Sequence, residues 1–120
     1  MSRIMIIDDE KIAADMTKVS LEEEGYEVEA FVDAGAGLSR LKEHPFDVVI
    51  TDLKMKGMDG FDVLNQIKES SPRTRVIMVT AFASLDVAIE AIKGEVFDFF
   101  TKPVKLKELK AAVRKALAAE

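Results

Sequence analysis

Five short apolar runs punctuate the chain: Ile4 to Ile7, Val28 to Phe31, Val48 to Thr51, Val76 to Thr80 and Val96 to Thr101. Between them the apolar positions recur every three or four residues, as they do in helices that pack by one face. Ile12, Met16 and Val19 share such a face, with Gly25 placed to end the helix. Phe61, Leu64 and Ile67 repeat the pattern ahead of the breaker Ser70-Ser71-Pro72. Ser84 can cap a helix carrying Ala88, Ile89 and Ile92, and Leu106, Leu109, Val113 and Leu117 line the last helix. In the second helix Asp33 can cap and Leu38 and Leu41 can pack. Gly35 and Gly37, however, each cost about 1 kcal/mol relative to alanine, so this helix is expected to be short or mobile. Strands alternating with helices predict repeated βα units around a parallel sheet, a doubly wound α/β domain of three layers.

Composition along each run predicts its place in that sheet, because a strand covered on both faces is continuously apolar and a half-covered one alternates. IMII, VVI and VIMV are continuous, whereas EVEAF alternates charged with apolar residues and FDFF sets Asp98 between phenylalanines. The first, third and fourth strands are therefore expected at the centre and the second and fifth at the edges. Right-handed crossovers then give the order 2-1-3-4-5. Open parallel sheets bind ligands beyond the carboxyl ends of their strands, where the strand order reverses. Asp8, Asp9, Asp52, Thr80 and Lys102 all fall at that rim. Two carboxylates about 4 Å apart repel by about 4 kcal/mol at an effective dielectric near 20, and one lysine leaves three of them anionic. A hard divalent cation such as Mg²⁺ is the economical partner for the cluster.

The bulk numbers narrow the classes. The chain has 120 residues, 48% of them hydrophobic, which suits one domain over 1–120 with its own core. Seventeen basic against 22 acidic residues give a net charge of -5, which disfavours direct binding of nucleic acid or an anionic membrane. No cysteine is present, so thiolate metal sites are excluded. No apolar run approaches the roughly 18 residues of a membrane span, and the expected location is cytoplasmic.

In order and spacing, IIDDE, VVITDLKMKGMDG, VIMVTAF and FDFFTKPV resemble the receiver domain of two-component response regulators, a phosphoprotein family with a flavodoxin-like fold. The resemblance covers essentially the whole chain. It implies that Asp52 accepts a phosphoryl group from a sensor histidine kinase or phosphotransfer protein. It also implies that Asp9, Asp52 and the Lys54 carbonyl ligate Mg²⁺ or Mn²⁺, and that Asp8 holds metal-bound water. Lys102 pairs with the carboxylate and later with phosphoryl oxygens, assisted by backbone N–H groups at Lys54 and Ala81. Thr80 and Phe99 are the switch residues, and Lys102-Pro103 matches a peptide bond that is cis in the family. The signal would leave through the α4-β5-α5 face, to an output domain, an effector or a second copy of the domain.

Two positions depart from the family pattern. Lys56 and Gly57 stand where a proline commonly follows the acceptor, which is expected to loosen the loop carrying the Lys54 carbonyl. Glu95 and Val96 replace a common Gly-Ala ahead of the fifth strand, so the fourth helix is expected to end in a different cap. Two other readings fit the sequence less well. An aspartyl phosphatase acting on external substrates typically has a second acid two residues after its nucleophile, where this chain has Lys54. A degenerate interaction module would lack part of the rim, and all five rim residues are present. His44 lies before Pro45, ahead of the third strand, and reads as a surface residue. The basic C-terminal stretch, with Lys105, Lys107, Lys110, Arg114 and Lys115, reads as a solvated face.

Overall fold

A computed structural model describes residues 1–119, so Glu120 and the expectation that the domain closes there lie outside the described residues. The strands are β1 (Arg3–Ile7), β2 (Glu27–Phe31), β3 (Val48–Asp52), β4 (Arg75–Thr80) and β5 (Asp98–Thr101). The helices between and after them are α1 (Lys11–Glu22), α2 (Ala34–Glu43), α3 (Gly60–Ser70), α4 (Leu85–Lys93) and α5 (Leu106–Ala118). All four strand pairings are parallel, in the order β2-β1-β3-β4-β5 expected from the sequence. The fifth strand starts at Asp98, two residues later than its apolar run suggests.

The continuous apolar run of β1 follows from its position. Ile4 and Ile6 enter the core under α1 and α5, and Met5 and Ile7 enter the opposite core with α2 and α3. All four are at most 3% exposed, and each contributes about 1.5–3 kcal/mol by leaving water. The edge strand β2 instead leaves Glu27 exposed and only Val28 fully buried.

Three helices differ from their sequence reading. On α1 the stripe Ile12, Met16 and Val19 faces solvent, with Ile12 78% exposed, while Ala14 and Leu21 are buried. The buried positions of α1 are the smaller or more widely spaced ones, because the helix lies close against β1 and β2. On α4 only Ala91 is buried, and Leu85, Ile89 and Ile92 are exposed. The second helix is a regular helix of ten residues, only slightly shorter than its neighbours α1 and α3 at 12 and 11. Asp33 accepts from the Ala36 N–H at 2.9 Å, and at Gly37 a Cβ would stand 3.0 Å from Ile7 Cδ1, so the glycine lets α2 approach β1. Packing against the sheet thus outweighs the low propensity of the two glycines.

The helix ends also follow local chemistry. Asp59 and Asp62 form a reciprocal capping box that starts α3, Ser84 caps α4 through the Val87 N–H, and Gly25 adopts φ 93 after α1. Glu95 takes φ 61 after α4, the left-handed conformation usually given to glycine, so the different cap expected there is present. Gly57 has φ 81 in the β3-α3 loop, a conformation that proline could not adopt.

Candidate functional site

Strand register levels the functional residues at one rim. Ile7 pairs with Thr51 and Asp52 with Val79, so Asp8 and Asp52 follow neighbouring strands to the same height. Thr80 pairs with Thr101, which puts Lys102 one step beyond the end of β5. The α3 N-terminus is brought against β3 at Gly60, whose N–H donates to the Leu53 carbonyl at 2.8 Å. A Cβ at that position would stand 2.6 Å from the Asp52 carbonyl oxygen, so a side chain there would push the helix off the end of the strand. This requirement was not read from the sequence, although a glycine directly after the capping Asp59 is its visible trace.

Four of the five rim residues come together, and Thr80 ends the neighbouring strand β4 at the same rim. Carboxylate oxygens of Asp8, Asp9 and Asp52 lie within 4.8 Å of one another. Asp52 is buried, Asp8 is 9% exposed at the edge of burial, and Asp9 is open to solvent. Lys102 Nζ donates to Asp52 Oδ2 at 2.7 Å and to Asp8 Oδ2 at 3.2 Å, joining the two least exposed acids. The other oxygen of Asp52 accepts from the Leu53 N–H at 2.7 Å, a backbone donor that the sequence reading did not identify. Asp8 Oδ1 accepts from the Glu10 N–H at 3.0 Å. Burial of Lys102 works against its charge, but the hydrogen bond and attraction of Asp52, followed by those of Asp8, outweigh it and raise the lysine above its ordinary pKa. Lys102 is therefore an ammonium at neutral pH.

The oxygen cluster fits a small hard cation. Ligands about 2.0–2.1 Å from Mg²⁺ on opposite sides of the ion are about 4.2 Å apart, within the span of the three carboxylates. Oxygen donors alone are the set such an ion takes, and the exposure of Asp9 leaves a side for water ligands.

Thr80 is fully buried at the end of β4, and its hydroxyl accepts from the Phe82 N–H at 3.0 Å. Ala81, exposed beside it, lines a cavity of about 540 Å³ with Asp8, Asp52 and Lys102. That cavity continues along Met16 and Thr17 of α1 and beneath Pro103 and Val104. Phe99 is half-buried on β5, level with Met78. The Lys102-Pro103 bond is cis, as the resemblance implied. Lys54 is exposed, and its ammonium stands 6.0 Å from the centre of the Phe82 ring. His44 is half-buried at the C-terminus of α2, with Nδ1 2.9 Å from Arg3 Nη1, at the opposite end of the sheet from the acids.

The response regulator receiver domain family matches residues 4–114. Among curated proteins, the chain is 34% identical over 115 residues to the response regulator protein PilR of Pseudomonas aeruginosa, covering 96% of this chain and 26% of that protein. It is 35% identical over 117 residues to the regulatory protein AtoC of Escherichia coli, covering 97% and 25%. The chain thus spans about a quarter of the length of the curated relatives it matches. Among solved structures, a response regulator receiver domain protein from Clostridium thermocellum superposes with a TM-score of 0.92 at 37% identity, covering 98% of this chain and 95% of that one. The beryllofluoride-activated NtrC4 receiver domain dimer gives 0.93 at 31%, covering 98% of both. With the strand order, the acid rim and the family match in agreement, this chain belongs to the response regulator receiver domain family.

Proposed function

We propose that residues 1–120 act as one phospho-accepting signalling switch, with Asp52 as the acceptor. The observation that carries this reading is the ion pair of Lys102 with Asp52 at 2.7 Å inside a cluster of three carboxylates. One oxygen of Asp52 attacks the phosphorus of a phosphohistidine on a kinase or phosphotransfer protein, the P–N bond breaks, and the imidazole leaves with the bonding pair. The product is an acyl phosphate, a reactive covalent intermediate. Asp8, Asp9, Asp52 and the Lys54 carbonyl would hold Mg²⁺ or Mn²⁺. The ion, when bound, offsets the charge of the phosphoryl oxygens.

The chain's own groups supply the rest. Lys102 shifts from carboxylate to phosphoryl oxygen, and the N–H groups of Lys54 and Ala81 donate to the same group. Thr80 turns its hydroxyl from the Phe82 N–H toward the phosphoryl, and Phe99 moves inward with it. Apolar side chains beside the acids, Met16 among them, give a protein donor a surface to hold while its imidazole reaches Asp52.

The phosphorylated state is then read on the α4-β5-α5 face, where exposed Leu85, Ile89 and Ile92 offer apolar surface to an output domain, an effector or a second copy. Curated relatives include transcriptional regulatory proteins of which this chain spans only a part, which supports control of an output domain outside it. The domain does no chemistry on external substrates beyond taking and losing its own phosphoryl group. Among the described residues no helix is long and apolar enough to cross a membrane; a cytoplasmic location is part of the proposal. The test is intact mass after incubation with acetyl phosphate and Mg²⁺. One phosphoryl adduct is expected, and none in Asp52→Asn or with the metal chelated; an adduct that survives Asp52→Asn contradicts the assignment.

A further inference from the structure

Two loops flank the acceptor, and they touch through a pair of side chains that the phosphoryl chemistry above does not use. Lys54, two residues after Asp52, sets its ammonium 6.0 Å from the ring centre of Phe82, two residues after Thr80. Among the described residues Lys54 makes no ion pair, and its ammonium faces the ring. Phe82 is 59% exposed. Its backbone is held at one further point, the N–H that donates to the Thr80 hydroxyl at 3.0 Å. Both restraints on Phe82 are thus groups that an anion would draw away: an ammonium and a hydroxyl.

Charge decides which way they go. Three carboxylates against the Lys102 ammonium leave the rim with two net negative charges. Phosphorylation replaces the Asp52 carboxylate by a group of about −1.5 to −2, and a bound divalent cation offsets only part of the total. Lys54 is the free cation nearest in sequence to the added charge. An exposed neutral ring offers the ammonium only its quadrupole, whereas a phosphoryl oxygen offers a full negative charge and a charge-assisted hydrogen bond. The exchange from ring to phosphoryl oxygen is therefore favourable.

We propose that Lys54 and Phe82 form a gate across the two loops that phosphorylation of Asp52 opens: the Lys54 ammonium leaves the ring for a phosphoryl oxygen as the Thr80 hydroxyl leaves the Phe82 N–H. Phe82, released at both points, becomes free to move at the start of α4, next to exposed Leu85. The Lys54 side chain is then a phosphoryl-binding group in addition to its backbone, and Phe82 is a second aromatic reporter beside Phe99. This proposal rests on Asp52 being the acceptor.

The chain has no tryptophan, so Phe82→Trp installs a single indole at the gate and retains a ring for the ammonium. Acrylamide quenching of that indole is measured before and after acetyl phosphate with Mg²⁺, and the same samples are weighed. Losing a contact of about 0.5–1 kcal/mol raises the ratio of open to closed ring about two- to five-fold. Quenching is expected to rise with the adduct and to stay low in the Asp52→Asn background. Adding Lys54→Ala to Phe82→Trp is expected to raise it before any phosphoryl donor is present. An adduct seen by mass with unchanged quenching, or no effect of Lys54→Ala, overturns the gate and leaves the acceptor assignment standing. Absence of the adduct overturns both.

Discussion

Asp9 is the exposed member of the acid cluster, and Lys102 pairs with Asp8 and Asp52 instead. Without a metal its charge is therefore a liability. At the 4.8 Å span of the cluster, a pair of carboxylates repels by about 3.5 kcal/mol at a dielectric of 20 and about 0.9 kcal/mol at that of water. Because Asp9 is open to solvent, the lower figure governs, and Asp9→Asn should stabilise the metal-free protein by about 1 kcal/mol, or about 4 °C in Tm. With Mg²⁺ the order should reverse. At about 100 times its Kd a ligand stabilises by about 2.7 kcal/mol, and the variant, short of one anionic oxygen, binds the ion more weakly and gains less. Thermal unfolding of both proteins in chelator and across a Mg²⁺ titration measures this. A variant that melts lower than the native chain in chelator, or that gains as much from Mg²⁺, would mean that Asp9 is neither repelled by its neighbours nor a metal ligand.

Three further outcomes follow from the α4 terminus and the partly buried Lys102–Asp52 ion pair. Glu95→Gly should stabilise by about 1 kcal/mol by relieving a left-handed residue, whereas Gly94→Ala should cost about 1–3 kcal/mol, since its Cβ would stand 2.5 Å from Leu64 Cδ2 in the core; urea unfolding distinguishes them. The Lys102 pKa is raised in the folded state, so its stabilisation is complete below the ordinary lysine value of 10.5 and is lost as pH climbs through the higher folded value. The stability difference between the native chain and Lys102→Met, measured in chelator, should stay level from about pH 7 to about pH 10 and shrink above that.

Much of this molecule was legible because its strands are buried unevenly. IMII is apolar throughout because alternate residues feed two cores, and EVEAF alternates because β2 has one open edge, so strand order could be argued from composition. The rim followed from that order, since residues ending adjacent parallel strands must meet. The helices were less legible for a physical reason. Periodicity shows that Ile12, Met16 and Val19 lie together but not that they face the sheet, and here Ala14 and Leu21 do. An apolar stripe kept for a partner has the same spacing as one kept for the core. The glycines of α2 were read through propensity, whereas Gly37 is used for close approach to Ile7, a term no local scale contains. Contacts between loops, such as Lys54 with Phe82, depend on distances across the fold and have no signature in either segment.

In the proposed switch, Asp52, paired at 2.7 Å with Lys102, is the residue that takes the phosphoryl group. An acyl phosphate is reduced by borohydride to an alcohol, whereas phosphoesters of serine or threonine are not. Peptide sequencing by mass after acetyl phosphate, Mg²⁺ and borohydride should find homoserine at position 52 alone. Conversion at Asp8, Asp9 or another acid with position 52 intact, or a phosphoryl adduct that resists borohydride, would contradict it.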